Sequence, residues 1–374
     1  MDFGFSEEQR MVRDLARGIL EKELTVERIK SVENGGDFHD ARLWSTLAEA
    51  GLVGLAVPAR FGGMGLGLLE LCVFFEELGR AAAPLAATPT LALGALAVGE
   101  LGSDEQRERL LPDIVGGKVL LAAAPGASAR ARRNGESWRV DGSAALVSAA
   151  GLARYVLVPV TTDRGQGVVL VDPRRDDVLL RARRSSRGEP LFDVELDGTA
   201  VASSDVLGDR IDDWQPAAWV GSRAAVATCA LQIGVCERAL EVTAGYLRER
   251  HQFGVPIGSF QAVQHRLADG YIDLASLRWV TWRAAWKLGE GRDATREITV
   301  AKFWAAEAGA RIAASAQHLH GGIGVDVDYP IHRYFLWSKA LELELGGAHE
   351  QLATLGRDMA AWPPRASSKR REVA

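Results

Sequence analysis

Cysteine is scarce in this chain: Cys72, Cys229 and Cys236 are the only three among 374 residues. An odd number without a CxxC pair supports neither a disulfide framework nor a zinc site, so the thiols read as buried apolar side chains and no metal is expected. An excess of positive charge is missing too. Lys and Arg number 44 against 49 Asp and Glu, a formal net charge of -5, which leaves no field for nucleic acid. The few Arg and Lys of the last ten residues read as a solvated tail. Nor is there a long apolar run. The most apolar stretch, Pro84 to Val98, is shorter than a membrane span and is interrupted by Pro, Thr and Gly, so it reads as a buried helix. Asp2 and a polar helix start stand where a secretory signal needs a basic region followed by an apolar one. The expected setting is cytoplasmic, with no membrane.

What is present is an ordinary globular composition, 47% hydrophobic and 25% charged, in a chain long enough for two or three structural units. Ser6 and Gln9 have capping-box spacing and open a helix through Leu20. Further helices are expected at Ala41–Glu49, ended by Gly51, at Leu68–Leu78, ended by Gly79 and followed by Pro84, and on to about Gly116. From Lys118 the texture changes. VLLAAAP, SWRVDGSAALVS, YVLVPVTT, GVVLVDP, DVLLRA and LFDVELDG are short Val- and Leu-rich runs separated by Gly, Asp, Pro or Arg, which predicts six strands of a small antiparallel sandwich or barrel ending near Leu207. After Trp214, helical periodicity returns through Val226, Leu231, Val235 and Leu240, and again through Leu267, Ile272, Leu274 and Leu277. Two more helices, Thr295–His318 and Ile331–Met359, complete an expected four-helix bundle. The expected fold class is α+β: an N-terminal helical domain over 1–117, a middle antiparallel β domain over 118–208 and a C-terminal helical bundle over 209–374.

Two segments carry chemistry. RERHQFGVPIGSFQAVQHRLAD, Arg248 to Asp269, holds an RxxFG pattern and an FQ pair; HLHGGIG, His318 to Gly324, is followed by DYPIHRYF. With the run LWSTLAEAGLVGLAVPARFGGMGLGLLELCVFFEELGRAAAP nearer the start, they resemble the acyl-CoA dehydrogenase family along nearly the whole chain. The resemblance implies that family's fold and FAD as cofactor. It places Arg250 and Gln261, with Phe253 in the same motif, at the FAD pyrophosphate. It places His318, His320, Gly321 and Gly322 against the adenosine half of an FAD held by a neighbouring subunit, His318 standing where the family usually has Gln. A guanidinium presents a planar fork of donors suited to phosphate, and adjacent glycines admit a nucleotide close to backbone amides.

The family also needs a carboxylate base, and here the resemblance fails. Its YEG(T/S) glutamate, counted from Tyr329 and Pro330, falls on Leu345. Glu344 lies one residue before, and a neighbour on a helix or turn points about 100° away. The other family position for the base, within Ser222–Leu231, is occupied by Ala224 or Ala225. The flavin-side TEPxxGSD is represented by AAAPGASA, Ala122 to Ala129, and the WIT(N/S) stretch by LVSAA, Leu146 to Ala150, where Ser148 retains a hydroxyl. Elements serving the chain's own cleft are degraded and those reaching a neighbour's FAD are kept. This asymmetry resembles the non-catalytic subunits of actinobacterial heterotetrameric acyl-CoA dehydrogenases, several of which act on CoA thioesters of steroid side chains. The implied partners are an acyl-CoA substrate, a catalytic subunit and electron-transferring flavoprotein. Two alternatives stay open: a self-sufficient homotetramer with Glu344 or Glu342 as base, and a non-enzymatic acyl-CoA or acyl-carrier binding protein.

Overall fold

The computed structural model describes residues 4–36, 38–209, 211 and 215–361; Asp2, Trp214 and the basic C-terminal tail lie outside the described residues. Helix α1 (Glu7–Glu23) opens on the expected capping box, with Ser6 Oγ accepting from Gln9 N at 3.2 Å and Gln9 Oε1 accepting from Ser6 N at 3.0 Å. Helix α2 (Val26–Gly35) goes beyond the expected set. Ile29 is its one buried residue among those described, so no apolar period announces it. Then follow α3 (Ala41–Glu49), α4 (Leu68–Arg80), a buried π-helical segment Thr88–Ala95 running into α5 (Leu96–Leu101), and α6 (Asp104–Val115). Gly79 lies inside α4 instead of ending it. A Cβ there would stand 2.1 Å from the Leu231 carbonyl oxygen, so this glycine answers to a helix crossing, not a helix end.

The middle of the chain forms β1 (Leu121–Ala123), β2 (Ser128–Asn134), β3 (Ser137–Ser148), β4 (Tyr155–Thr162), β5 (Gly165–Val171), β6 (Val178–Arg184) and β7 (Pro190–Ala202). They make one sheet in the order β1-β4-β2-β3-β7-β6, with β5 also on β4. Seven strands replace the six expected. The added one, β2, buries only Ala129 and Ala131 beneath its arginines, so its two-residue period is carried by the smallest apolar side chains. Pairing is antiparallel except for β1 with β4 and the Arg130–Thr161 bridge of β2 with β4, which are parallel. The sheet closes over its own apolar cluster, which includes Trp138, Val140, Val158 and Val194.

The C-terminal part contains α7 (Pro216–Glu249), the hairpin β8 (His251–Gln252) and β9 (Val255–Pro256), α8 (Gln261–Gly289), α9 (Thr295–His320), α10 (Ile331–Leu343) and α11 (Ala348–Ala360). The single helix expected over Ile331–Met359 is broken. Leu345 and Gly346 take φ of 59° and 93°, and buried Lys302 donates from Nζ to the carbonyls of Glu342 and Gly346 at 3.0 Å each. The Glu342 carbonyl, in the last turn of α10, would otherwise be left without an intrahelical partner. Helix α7 is long and apolar enough to cross a bilayer, but 83% of its apolar window is buried inside the protein. It threads one core shared by helices from both ends of the chain, in which Trp44, Phe74, Cys72, Cys229, Cys236 and Trp337 meet.

A buried carboxylate sits in that core. Glu76 Oε1 accepts from Arg278 Nη2 at 2.6 Å, while Oε2 is buried without a partner. Burial pushes its pKa from the ordinary 4.5 up to about 7, although Arg278 pulls the other way. The folded state therefore binds this proton more tightly than the unfolded chain, so the group's stabilising contribution is full below about pH 4 and is lost as pH rises through about 7. Melting temperature is expected to fall over that window, and Glu76→Gln to flatten the slope. A variant with the wild-type slope would assign the pH dependence to other groups.

Candidate functional site

The residues singled out in the C-terminal part gather at one end of the bundle. Helix α7 ends at Arg250, whose backbone turns extended (φ -78°, ψ 123°) while its N–H still donates to Tyr246 O. The β8–β9 hairpin then reverses the chain through Phe253 and Gly254, at φ of 55° and 81°, the two positive values a tight primed turn requires. Phe253 accepts a conformation unusual for a non-glycine residue, yet it is 92% exposed, touching Phe260 edge-on at 6.2 Å. Ile257 N donates to Arg250 O at 2.8 Å and ties the start of α8 to the end of α7. Gln261 is the first residue of α8, preceded by Phe260 with no side-chain cap, so the amides of Gln261 and Ala262 lack a protein acceptor among the described residues, while Val263 N donates to Phe260 O at 3.0 Å. Arg250 makes no side-chain hydrogen bond or ion pair among the described residues.

The end of α9 packs against the same place. Tyr246, one turn before Arg250, stacks on His320 with ring centroids 4.6 Å apart, and Tyr329 closes in at 5.3 Å. His320 is buried. Its Nδ1 lies 2.8 Å from Ala316 O, which assigns the proton there, and its Nε2 is buried without a partner. Burial lowers its pKa, so the ring is neutral and presents an acceptor at Nε2. Gly321 has φ 63° and ψ -138°, a combination essentially confined to glycine, and a Cβ on Gly322 would meet nothing within 4 Å. His318 is exposed in the last turn. Its neighbour Gln317, not singled out in the sequence, donates from Nε2 to Gly324 O at 2.6 Å and pins the glycine turn. The exposed surface around it includes Val325 and Val327, at 71% and 67%.

The segment that the family resemblance sets beside the flavin, Leu146–Ala150, and the one where it expects the base, around Leu345, present a different picture. Strand β3 ends in strained backbone, with Leu146 at φ 56° and Ala149 at φ 57°. Ser148 Oγ donates to Glu189 Oε1, and Glu189 Oε2 accepts from Arg187 Nε at 2.7 Å. The Arg187 guanidinium lies 5.2 Å from the centre of the Trp337 ring and 3.7 Å from Glu344 Oε2. Phe38 packs on Trp337 at 6.0 Å and under Gly188. A continuous chain of side chains, Ser148 to Glu189 to Arg187 to Glu344, thus crosses from the end of β3 to the break between α10 and α11. Glu344 has its pKa raised by desolvation, with Arg187 opposing. Glu342 pairs with Lys339 Nζ at 2.5 Å. Ala224 and Ala225 are buried methyl groups. Arg187, Glu189 and Trp337 were not foreseen from sequence, since no local pattern marks a partner 150 residues away.

Family models match most of the chain: the acyl-CoA dehydrogenase N-terminal domain over residues 6–118 and the acyl-CoA dehydrogenase C-terminal domain over residues 219–360. The chain belongs to the acyl-CoA dehydrogenase family. Among similar acyl-CoA dehydrogenases, FadE27 of Mycobacterium tuberculosis is 37% identical, covering 97% of this chain and 100% of its own length. A solved structure of the ChsE4-ChsE5 complex from Mycobacterium tuberculosis aligns with TM-score 0.92 and 36% identity, over 97% of this chain and 100% of the matched one. A variant of the Tcur3481-Tcur3483 steroid acyl-CoA dehydrogenase aligns with TM-score 0.88 and 40% identity, over 95% and 98%.

FAD is the cofactor of acyl-CoA dehydrogenases, and the two regions differ in what they offer it. The bundle end presents an unspent guanidinium, an uncapped helix start, an orphaned buried imidazole nitrogen and an open Gly321–Gly322 turn. Those groups fit the charge and hydroxyls of a dinucleotide. The region between β3 and the α10–α11 break is instead bridged by the Arg187 and Glu189 side chains, whose polar atoms are committed to one another and to Ser148 and Glu344.

Proposed function

We propose that this chain is the non-catalytic subunit of an FAD-dependent acyl-CoA dehydrogenase and completes the FAD site of a catalytic partner subunit. The observation that carries the reading is the Ser148–Glu189–Arg187–Glu344 bridge, because it ties up the one carboxylate beside the expected base position, and the hydroxyl of the flavin-side stretch, in contacts within the chain. A base in this family takes the α proton of the thioester, and it must be free to receive one. Glu344 faces Arg187 and Glu342 faces Lys339, so neither stands as an uncommitted carboxylate. That weighs against a self-sufficient enzyme. The relatives whose names print two chains, ChsE4-ChsE5 and Tcur3481-Tcur3483, support a paired assembly.

In this reading Arg250 and the α8 start, with Gln261, hold the pyrophosphate. Phe253, exposed on the hairpin, offers a nonpolar cover. His318, His320, Gly321 and Gly322 receive the adenosine half. Bound FAD supplies the acceptor for the hydride that leaves the acyl β carbon, while the partner subunit supplies the base. Electron-transferring flavoprotein is the proposed acceptor of the electrons, on family resemblance.

The test is the visible flavin absorbance of the chain purified alone and then co-purified with a catalytic acyl-CoA dehydrogenase subunit. Colourless protein alone and a yellow, active pair are expected. A yellow homo-oligomer that oxidises acyl-CoA by itself would overturn the proposal, and loss of that turnover in Glu344→Gln or Glu342→Gln would then name the base.

A further inference from the structure

Next to the bundle end but outside the residues described there, α1, α2, α4, α7 and α10 line an open cavity of about 420 Å³, within the range that takes a small ligand. Four arginines line it: Arg17, Arg80, Arg238 and Arg333. Each is anchored by carboxylates. Arg17 pairs with buried Glu77 at 2.7 Å, Arg80 with Glu241 at 2.6 Å and Glu237 at 3.4 Å, Arg238 with Glu241 at 3.0 Å, and Arg333 with Glu33 at 3.0 Å. Glu21, on α1 one turn beyond Arg17, is exposed.

This anchoring leaves donors over. Arg333 uses Nε and Nη2 on Glu33, and Arg80 uses Nη1 on its two glutamates. Nη1 of Arg333 and both Nε and Nη2 of Arg80 have no protein acceptor among the described residues, and none of the three is sealed from solvent. The two side chains are only 7% and 12% exposed, so the cavity they line is the outlet left to those N–H groups. Guanidinium donors held rigid from behind and unspent in front are organised for an anion. Beside the arginines and the Glu21 and Glu77 carboxylates, the lining is hydrocarbon: Leu20, Leu24, Val26, Ile29 and Val242.

We propose that this cavity binds an amphiphilic monoanion, a carboxylate carried on a hydrocarbon body, with its head between Arg80 and Arg333 and its body along Leu24 and Val242. A free inorganic anion would leave the apolar wall unused. Each methylene laid against that wall adds roughly fourfold in affinity, which is why the body matters as much as the head. The site adjoins the bundle end described above. Val242 is one turn before Tyr246, and Pro330 follows Tyr329, so both walls continue into the residues that pack on His320.

Calorimetric titration of the purified protein, as chain or complex, tests this with decanoate, decanol and inorganic phosphate as probes. Decanoate is expected to bind saturably at one per chain, about tenfold or more tighter than decanol, with no saturable binding of phosphate. Leu24→Trp and Val242→Trp, which fill the cavity from different helices, are each expected to weaken decanoate about tenfold or more while the protein still melts cooperatively. Absence of saturable decanoate binding, decanol binding as tightly, phosphate displacing decanoate in full, or a folded tryptophan variant binding like wild type would each overturn the proposal. Should one variant fail to fold, the other and the alcohol comparison decide.

Discussion

Arg250→Ala, made in the co-purified complex, is expected to raise the Kd for FAD roughly 10- to 150-fold, the worth of a charge-assisted phosphate contact. The effect should appear in the cofactor and not in the fold. Arg250 sits at the exposed end of α7 and, among the described residues, makes only backbone bonds, its N–H to Tyr246 and its carbonyl to Ile257, and alanine keeps both. Melting of the flavin-free complex should therefore be unchanged, while flavin is lost on dilution. Arg250→Lys is the informative companion: it keeps the charge but not the planar fork, so its Kd should fall between the other two. The readout is fluorescence titration of FAD into stripped complex. If Arg250→Ala binds FAD as wild type does, the guanidinium does not reach a cofactor, and the shared-site reading loses its main ionic contact.

The parts of this fold that could be read from sequence are those whose signal is local. Ser6 and Gln9 announce α1 because a capping box involves four consecutive residues, and the hydrogen bonds are formed as expected. The period of α7 is readable because its buried face repeats over many turns. Other parts were misread. Helical character was expected to run from Ile331 to Met359; it breaks at Leu345 and Gly346, where Gly346–Gly347 was a local signal passed over, and the Lys302 side chain that takes the Glu342 and Gly346 carbonyls comes from another helix. Strand β2 was missed for a different reason: its inward residues are alanines, and the alternation survives only as Ala129 and Ala131 between arginines.

The same division holds at the candidate site. Arg250, Gln261 and the Gly321–Gly322 pair were named because short motifs carry them. Leu345 was legible as an apolar residue at the position where the resemblance expects the base. The Arg187–Glu189 bridge was not, since Glu344 taken alone reads as a displaced base and only the folded chain shows which cation faces it. His320 was named for its motif, but the orphaned Nε2 that makes it a candidate acceptor depends on Tyr246 and Tyr329 closing around the ring.

The largest loss of stability is expected from Gly234→Ala, at least about 3 kcal/mol. Alanine in the middle of a helix ordinarily stabilises relative to glycine by up to about 1 kcal/mol. Here the sign reverses. A Cβ on Gly234 would stand 1.8 Å from the Glu76 carbonyl oxygen and 2.5 Å from Arg80 N, and from the facing helix a Cβ on Gly79 would stand 2.1 Å from Leu231 O. Both obstacles are backbone, so no rotamer change relieves them and α4 must move off α7. That movement would disturb Arg80 with Glu241, which bridges the same crossing, and Glu76 with Arg278 of α8. Gly221→Ala on the same helix is the control: its Cβ would meet nothing within 4 Å, so the ordinary helical gain should appear. Thermal unfolding of both variants in the complex compares them directly, and a Gly234→Ala protein melting at or above wild type would show that the crossing yields easily. Because α7 carries Tyr246 and ends at Arg250, the same substitution should also lower the flavin content of the complex, whereas Gly221→Ala should leave it intact.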